Sequence, residues 1–504
     1  MCMEKKIVVT KGRNGREAVV LEEGEVVEWF IEQAHAPELV GSVFIGKVQR
    51  VLPGMQAAFV DIGIGKNGFL YRDELLRFHL DPDPVEVKQQ RKITHYVQQH
   101  EMVLVQVTKA SNGEKGPRLS GVIAIPGRYL VYMPEANYVA VSRRIKDESV
   151  REHLSEKMTN ELQQPEGLIV RTAAAACEPD MLAQELHVLR TLWSQTVKPV
   201  NGKGKPALVY QAASIIETLV TNYVEETIDE VVLDDLSDYR LVQKLLGTAP
   251  LIQKVRLYRT QGSTFALNDI DRQLEKARRR RIWLKNGAFI VIDETEAMVV
   301  IDVNTGKFTG SNGLEQTVLA VNCLAAKEVA KQIRLRNLSG MIAIDFIDMK
   351  TDEEREKVQQ TLLSYLKKDR VQTSVKGFTP VGVLFMTRKK TRLPMRVSVS
   401  MDCPSCAGTG VVLTVEAQAS QFERMLLMYM NQEVEALVIA ATSEAAMVLL
   451  GASESDKTVL EQRIGAHIFV VYDDALPVAA CYTLVYAGSF IEAEKQWASR
   501  QITD

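Results

Sequence analysis

The sequence predicts a multidomain protein of mixed α/β and α+β class. Its 504 residues are 46% hydrophobic, which is enough to bury the cores of about three domains. Short runs that alternate apolar and polar residues dominate the N-terminal part, a pattern typical of β-strands. From residue 288 onwards, strand-like and helix-like segments alternate, which is typical of a layered α/β unit.

Charge and cysteine content narrow the class of protein. The formal net charge of −3 excludes a uniformly basic molecule, although Lys and Arg concentrate in residues 272–285 and 388–396. Lys5 and Lys6 are not followed by the apolar core of a signal peptide, and no uninterrupted apolar run is long enough to span a bilayer. We therefore expect a cytoplasmic protein with no integral membrane segment. Six cysteines are too few for a disulfide scaffold.

The N-terminal part predicts strands first and a small barrel after them. Lys5 to Glu32 alternates in short runs broken by glycines, which predicts strands and turns. From about Gly41 to Leu119 further short strands are expected, and strands of this size suit a small closed barrel of the oligonucleotide-binding type. The stretch Asp81-Pro-Asp-Pro84 predicts a loop within it.

The rest of the chain predicts helices and a second sheet. Apolar residues at helical spacing run from Met181 to Trp193. Between Ala288 and Met386 the predicted order is strand, strand, helix, strand, helix, strand. Helical runs over Phe422–Met430 and Glu433–Leu450, then a strand over Ile468–Tyr472, predict a separate small C-terminal domain.

Both helices of the predicted α/β unit carry a capping-box pattern. Asn312 precedes Glu315 by three residues, and Thr351 precedes Glu354 by three. These caps place the two helices between strands. In such a unit, ligands bind at the carboxyl ends of the strands.

Two aspartates lie at those strand ends. Asp302 follows the apolar run Met298-Val-Val-Ile, and Asp345 follows Met341-Ile-Ala-Ile. An ionised carboxylate beside a buried strand is costly without a partner, so two in similar settings suggest a shared cation. Mg²⁺ held by both would bridge to a phosphodiester oxygen, and the amide of Asn304, on the same strand face, would orient one carboxylate.

The competing interpretation is that each aspartate caps the turn or helix that follows, a common role of a strand-end Asp. Asp348, just before the Thr351 cap, is more typical of a turn residue. None of the seven histidines lies near either aspartate in sequence, so a histidine base or a Ser-His-Asp triad has no support.

Cys403-Pro-Ser-Cys-Ala-Gly-Thr-Gly410 has the form of a metal knuckle. Two closely spaced thiolates can bind one metal, while glycines let backbone amides face the sulfurs. Tetrahedral zinc needs four ligands, and the chain has no second closely spaced cysteine pair. The simplest completion is the same pair from a second copy of the chain. The alternative is a reduced pair without function.

Several features bear on nucleic-acid binding. Gly63-Ile-Gly-Lys-Asn-Gly68 matches a dinucleotide-binding fingerprint, but no βαβ helix follows, so a loop between barrel strands explains it better. Phe59 and Phe69 flank this loop; such aromatics stack unpaired bases on a barrel face, or they form part of its core. The basic run Lys276-Ala-Arg-Arg-Arg-Arg281 is either a solvated helix face or a phosphate track.

Three motifs together resemble the ribonuclease E/G family of endoribonucleases, and the resemblance covers most of the chain. They are Val299–Lys307, Ile342–Met349 and Cys403–Gly410, in the family's order and spacing. In length the chain is similar to the family's shorter members, which lack a long disordered C-terminal scaffold. It departs from the family at Trp283-Leu-Lys-Asn-Gly287, where a Pro-Ser-Gly-Gly type of turn is common.

The resemblance implies roles for the residues already singled out. Asp302 and Asp345 would hold the catalytic Mg²⁺, with Asn304 positioning them. Cys403 and Cys406 would form half of a Zn²⁺ site shared between subunits, which makes the protein a homodimer. Whether dimers pair into tetramers stays open.

The resemblance also implies two RNA-binding regions. An S1 barrel would grip single-stranded RNA through Phe59, Phe69 and Lys115. A second region would sense the RNA 5′ end, because a guanidinium and a hydroxyl together satisfy a terminal monophosphate, whereas a triphosphate would overfill a closed pocket. The residues implied for this sensor are Gly127, Val131, Arg171, Thr172 and Arg370.

With this resemblance, the fold class is a split N-terminal domain with an inserted S1 barrel of oligonucleotide-binding type, a layered α/β catalytic unit, a zinc knuckle and a small α/β C-terminal domain. The predicted boundaries are 1–38 for the N-terminal strands of a split RNase H-like subdomain, 39–119 for the S1 barrel, 120–214 for the 5′-sensor region, 215–280 for the remainder of the RNase H-like subdomain, 281–400 for the catalytic subdomain, 401–410 for the zinc knuckle and 411–504 for the C-terminal domain.

The function predicted is a Mg²⁺-dependent endoribonuclease that cuts single-stranded, A/U-rich RNA and prefers 5′-monophosphorylated ends. Its products would carry a 5′-phosphate and a 3′-hydroxyl, and its role would be the processing and decay of rRNA and mRNA. Two alternatives stand beside this prediction: a non-catalytic S1-type RNA-binding protein, and a zinc-linked scaffold of an RNA-degradation complex.

Overall fold

The structure, a computed structural model, describes residues 4–33, 39–109, 116–177, 179–197, 204–223, 228–246, 250–258, 264–306, 314–430, 432–451 and 455–500. The chain divides into two compact units, Met1–Val399 and Ser400–Asp504. Within the ranges just given, no helix is both long and apolar enough to cross a membrane.

The first three strands form an antiparallel meander. They are β1 (Lys5–Gly12), β2 (Gly15–Glu22) and β3 (Glu25–Gln33). The centres of β1 and β2 are buried on both faces: Val8 and Val19 pack in one core cluster, and their neighbours Val9 and Val20 pack in another. The strands and turns predicted for this segment are confirmed.

A five-stranded barrel follows. Strand order β4-β5-β6-β8-β7, with β4 also paired to β7, closes the sheet on itself. Its interior is filled by buried aliphatic side chains such as Val60 and Leu119, so the predicted small barrel is confirmed. The Gly63–Gly68 segment is a loop between β5 and β6, as expected. The elements are β4 (Val43–Leu52), β5 (Ala57–Asp61), β6 (Gly68–Tyr71), α1 (Leu76–Leu80), α2 (Val85–Gln90), β7 (Met102–Lys109) and β8 (Arg118–Ser120).

The next region packs two helices on a small sheet of order β11-β12-β10-β9. Asp147 caps the first helix, where its side chain accepts from the backbone N–H groups of Ser149 and Val150. The predicted helix over Met181–Trp193 is confirmed within the second. The elements are β9 (Ile125–Pro126), β10 (Leu130–Met133), β11 (Val139–Val141), α3 (Glu148–Glu161), β12 (Gly167–Val170) and α4 (Pro179–Val197).

The chain then returns to its first sheet. β13 (Ala207–Tyr210) adds to β4 at the barrel. β14 pairs in parallel with β1, which gives a five-stranded sheet of order β15-β14-β1-β2-β3. Strands from before and after the barrel in the chain, β1–β3 and β14–β15, thus share one sheet. The other elements are α5 (Ile215–Tyr223), β14 (Glu230–Leu233), α6 (Leu236–Leu246), β15 (Val255–Leu257), α7 (Thr264–Leu267) and α8 (Ile270–Arg278).

A six-stranded mixed sheet, called the second sheet below, has order β16-β17-β18-β19-β21-β20. Its helices bury one face, where Ile301 and Ile344 pack with Val329 and Val358. The predicted α/β alternation is confirmed, with β16 and β20 as additional strands. The elements are β16 (Arg281–Trp283), β17 (Phe289–Glu294), β18 (Met298–Asn304), α9 (Leu314–Leu335), β19 (Gly340–Asp345), α10 (Asp352–Leu366), β20 (Thr373–Phe378), β21 (Val383–Arg388) and α11 (Met395–Val399).

One of the two predicted helix caps lies within the described residues. Thr351 and Glu354 form the reciprocal capping box at the start of α10, so this prediction is confirmed. The Asn312 cap lies outside the described residues.

The second unit is a three-stranded sheet of order β23-β22-β24 with helices packed on it. The predicted helix over Glu433–Leu450 is wrong in its first half, since Ala436–Ala441 is the central strand. This strand is apolar throughout and buried on both faces, so it lacks the alternation that marks a half-buried strand. The elements are α12 (Val415–Leu426), β22 (Ala436–Ala441), α13 (Ser443–Leu450), α14 (Ser455–Ile464), β23 (His467–Tyr472), β24 (Tyr482–Gly488) and α15 (Phe490–Arg500).

Candidate active site

Strand register brings the two aspartates together. Asp302 of β18 and Asp345 of β19 are direct partners on adjacent parallel strands, which lie about 4.8 Å apart in a sheet. Their neighbours Ile301 and Ile344 are fully buried beneath the helices, and side chains alternate along a strand. Both carboxylates therefore stand side by side on the open face of the second sheet, exposed to solvent.

Asn304 completes this group. It lies two residues after Asp302 on the same face, and its Nδ2 donates to Oδ2 of Asp302 at 2.8 Å. The amide holds that carboxylate in one orientation and leaves its second oxygen open for a ligand. Within the described part of the chain, neither aspartate accepts a backbone N–H bond, which argues against the capping interpretation.

The electrostatics of the pair favour a cation. Burial raises the pKa of the Asp345 carboxyl, and the negative charges of Asp302 and Asp348 raise this pKa further. A divalent ion between the strands would remove this repulsion. The described residues contain no group of three or more His, Cys, Asp and Glu able to hold a metal. Two carboxylates nevertheless fit Mg²⁺, which keeps several waters and takes its remaining ligands from phosphates.

The barrel carries an aromatic row on its surface. The ring centroids of Phe59 and Phe69 are 5.5 Å apart, and Tyr71 continues the row 4.6 Å from Phe69. The guanidinium of Arg118 lies 4.8 Å from the Tyr71 ring centroid. Tyr71 was not singled out from the sequence, although the two-residue spacing from Phe69 to Tyr71 places both rings on one strand face. Lys115, the third implied RNA-gripping residue, lies outside the described residues.

Four of the five implied sensor residues come together. Nη1 of Arg171 donates to the carbonyl of Gly127 at 2.5 Å, and the Thr172 hydroxyl is 2.9 Å from that of Ser142. Val131 lies on β10, which pairs with the strand that precedes Arg171. The guanidinium and the hydroxyl thus lie at one end of a small sheet.

The loop behind Arg171 is held by a residue that sequence reasoning missed. Glu185 of α4 accepts from the backbone N–H groups of Arg128, Tyr129 and Leu130, the last two at 2.8 and 2.9 Å. A Cβ at Gly127 would come within 2.8 Å of this carboxylate carbon, so glycine fits best there. Burial raises the pKa of Glu185, against the opposing effect of these hydrogen bonds. No local pattern marks Glu185, because its partners lie more than fifty residues away.

Arg370, the fifth implied sensor residue, contacts helix α5. Its guanidinium donates to the carbonyl of Asn222 and lies 3.7 Å from the ring centroid of Tyr223. Both partners belong to α5, which packs on the first sheet.

The cysteine knuckle belongs to the second unit. The N–H of Gly410 donates to Sγ of Cys406 at 3.3 Å. Hydrogen bonds from the backbone of Cys406 and Ser405 lower the pKa of the Cys403 thiol. Gly408 and Gly410 have φ of +86° and +78°, which a glycine adopts without strain. The sulfurs of the knuckle thus accept hydrogen bonds, and the lowered pKa of Cys403 favours its thiolate form. Both properties suit a metal ligand.

The basic run before β16 is partly neutralised. Arg279 pairs with Glu275 at 2.8 Å, and Arg280 forms a two-pronged ion pair with Asp293 at 2.5 and 2.7 Å. A phosphate track made of the whole run therefore finds little support, because two of its arginines already have carboxylate partners.

Comparison with known proteins shows the family of the chain. The family described as Ribonuclease E/G matches residues 124–391, which include both aspartates. Ribonuclease G of Salmonella typhimurium (strain SL1344) is 35% identical over 457 residues, covering 89% of this chain and 92% of the relative. Ribonuclease G of Escherichia coli (strain K12) is 34% identical over 456 residues, with the same coverage of both chains. Ribonuclease E of Nostoc sp. (strain PCC 7120 / SAG 25.82 / UTEX 2576) is 32% identical over 415 residues, covering 81% of this chain and 59% of the relative. The chain therefore belongs to the ribonuclease E/G family of endoribonucleases.

Proposed function

We propose that this chain is a Mg²⁺-dependent endoribonuclease that cleaves single-stranded RNA during RNA processing and decay in the cytoplasm. One observation carries the proposal: Asp302 faces Asp345 across two parallel strands on an open sheet face, with Asn304 bonded to Asp302. Family membership supplies the reaction class. The proposed substrate is A/U-rich RNA.

The chemistry follows from the groups present. Asp302 and Asp345 would hold Mg²⁺, which when bound polarises the scissile phosphate and acidifies a water. Asn304 fixes the orientation of Asp302, so no reorganisation is needed as the reaction proceeds. Attack of water on phosphorus, in line with the leaving 3′ oxygen, breaks the bond to that oxygen and leaves a 3′-hydroxyl. The phosphate remains on the 5′ oxygen of the downstream nucleotide, without a covalent enzyme intermediate.

The decisive experiment measures cleavage of 5′-monophosphorylated, A/U-rich RNA with and without Mg²⁺. Asp302→Asn and Asp345→Asn should each lower the rate by at least about 100-fold, since the charge stabilisation by a metal is worth several kcal/mol. RNA affinity should stay nearly unchanged. Asp352→Asn, an exposed carboxylate at the start of α10, is the matched control. Full activity of either site variant would refute the metal assignment, and intact RNA in both conditions would favour a non-catalytic RNA-binding protein.

We propose further that the barrel grips the RNA strand. Phe59 and Phe69 offer half-buried ring edges in contact with each other, and Tyr71 with Arg118 extends the same surface. Lys115 would add a phosphate contact. Phe69→Ala should weaken RNA binding by roughly 5- to 150-fold, the usual value of one stacked base, in a filter-binding assay with Val459→Ala as an exposed control on the second unit.

The group around Arg171 is proposed to read the RNA 5′ end. Arg171 and Thr172 supply a planar donor and a hydroxyl, while Glu185 fixes the loop that carries Gly127. Val131 lies behind them on β10, and Arg370, which contacts α5, would assist.

The matching assay compares RNAs with a 5′-monophosphate, a 5′-triphosphate and a 5′-hydroxyl. Wild type should cut the first fastest, and Arg171→Ala should cut all three at the rate of the 5′-hydroxyl RNA. Arg370→Ala tests the fifth residue separately. Equal rates on all three RNAs with wild type would refute the sensor.

Cys403 and Cys406 are proposed to bind Zn²⁺ together with the same pair of a second subunit. The N–H donors on both sulfurs support thiolate ligands, and two cysteines are half of a tetrahedral site. Metal analysis should give one Zn²⁺ per two chains, and Cys403→Ser should lower both zinc content and the dimer fraction in sedimentation. Cys177→Ser is the control. A zinc-free dimer would contradict this link.

A further inference from the structure

A row of side chains on the open face of the second sheet runs from its edge strand to the two aspartates. Arg281 pairs with Val291, Val291 with Asp302, and Asp302 with Asp345. Directly paired residues point to the same face of a sheet. Arg281 therefore shares the open face with the carboxylates, two strands or about 10 Å from Asp302.

The neighbouring row adds an exposed indole. Trp283 pairs with Phe289, which pairs with Asn304. The rings of Trp283 and Phe289 are 5.1 Å apart and tilted by 59°. Trp283 is 59% exposed, whereas the three other tryptophans of the chain are partly buried. The inner edge of Trp283 thus rests on Phe289 while much of its surface faces solvent.

Arg281 accompanies these rings as a cation. Its guanidinium carbon is 4.5 Å from the centroid of Phe289 and 5.9 Å from that of Trp283. Unlike Arg279 and Arg280, it has no carboxylate within 4 Å among the residues whose placement is described. Its N–H donors are therefore available to a phosphate.

The turn after Trp283 fixes this group in place. Leu284 is buried in the core, and its backbone exchanges hydrogen bonds with Ala288 and Gly287. Gly306, just beyond Asn304, packs so closely on Gly287 that a Cβ there would collide with the Gly287 carbonyl. The turn that presents Trp283 and the loop that leaves Asn304 are thus packed against each other.

We propose that Trp283, supported by Phe289, is a stacking platform for one base of the RNA strand at the carboxylate site, and that Arg281 contacts an adjoining phosphate. The inference rests on the proposed function and deepens it. An exposed aromatic face with an unpaired guanidinium beside it is the combination that holds unpaired nucleotides. Arg281 lies in the row of the aspartates and Trp283 in the row of Asn304, which places the base close to the scissile phosphate.

The first test scans the substrate. A short RNA with one cleavage site receives a single abasic nucleotide at each position in turn. With wild type, one position near the site should lower kcat/KM by roughly 5- to 150-fold, the worth of one stacked base. With Trp283→Ala the normal RNA should lose a similar factor, and the abasic change at that position should cost nothing more. Trp283→Phe should restore most of the wild-type kcat/KM on the normal RNA, and with it most of the loss caused by the abasic nucleotide.

The second test needs no cleavage. In an Asp345→Asn background, RNA binding should quench tryptophan fluorescence, and Trp283→Phe should remove most of that quenching while RNA still binds. Arg281→Ala should reduce the slope of log affinity against log salt by about 0.7, the value for one phosphate contact on a single strand. Tyr472→Ala, an exposed aromatic on the second unit, is the matched control.

The outcomes separate this inference from the proposed function. If wild type cuts RNA but Trp283→Ala shows the same abasic profile as wild type, the platform is refuted and the nuclease stands. If wild type neither binds nor cuts, both fail. A change of oligomeric state in Trp283→Ala with unchanged RNA affinity would identify the face as a contact between copies and overturn the platform.

Discussion

Two pairs of carboxylates in this molecule differ in whether a cation lies beside them. Glu22 and Glu28, on the first sheet, both accept from Nη2 of Arg334 at 2.9 Å, and this arginine is only 4% exposed. Asp302 and Asp345, on the second sheet, have no cation within ion-pair distance among the described residues. The fold supplies a positive charge to the first pair and leaves the second pair open.

The pKa shifts record this difference. Burial alone would raise the pKa of Glu22, but the hydrogen bond and charge of Arg334, together with the charges of Lys5 and Lys368, outweigh burial and lower that pKa. For Asp345, burial and the charges of Asp302 and Asp348 all raise the pKa. The comparison teaches that carboxylates held together by a resident arginine support the structure, whereas a pair without one is available for an external cation.

The largest effect is expected from removing the resident cation. Arg334→Met should lower the free energy of unfolding by about 3–5 kcal/mol, because it removes the buried cation that both carboxylates share and leaves Glu22 with only the longer contacts to Lys5 and Lys368. Urea denaturation measures this loss. The control is Lys331→Met, which breaks an exposed pair with Glu25 and should cost under about 1 kcal/mol. Equal losses in both variants would show that the Arg334 network does not differ from a surface ion pair.

A smaller effect is expected from supplying the missing cation. Mg²⁺ at ten times its dissociation constant should stabilise the wild type by about 1.4 kcal/mol, through binding to the folded state alone. The double variant Asp302→Asn, Asp345→Asn should show no such gain in thermal unfolding. A Mg²⁺-dependent gain that survives in the double variant would place the ion elsewhere.

The smallest effect concerns pH. Because the pKa of Glu22 is lowered in the folded state, its contribution to stability is present above its unfolded value of 4.5 and is lost as the pH falls through the lower folded value. Glu22→Gln should therefore flatten the loss of stability below pH 4.5, compared with wild type. Urea unfolding across this pH range, with the exposed Glu353→Gln as control, measures this change. A steeper loss of stability in Glu22→Gln than in wild type would contradict the lowered pKa of Glu22.

The sequence predicted what depends on local pattern. Thr351 and Glu354 form a cap because they lie within one helical turn, and the apolar runs before Asp302 and Asp345 define strand ends. That both aspartates share one sheet follows from the βαβ order.

What depends on distant pairing could not be read in advance. Arg334 and Glu22 are 312 residues apart, and nothing near either marks the other. The position of Trp283 on the open face depends on the register of β16 with β17 and β18. The strand at Ala436–Ala441 was missed for a different reason, since a fully buried strand has the same apolar run as a buried helix.

The pairing of β1 with β14 has a consequence for synthesis of the chain. The two strands are separated by about 224 residues. At a synthesis rate of about 5–20 residues per second, β14 is therefore made roughly 11–45 s after β1. The barrel, whose five strands lie between Val43 and Ser120, is complete well before that time. On the ribosome, the N-terminal meander therefore keeps the edge of β1 unpaired while the inserted barrel is already closed, and the second sheet is the last part of the first unit to form.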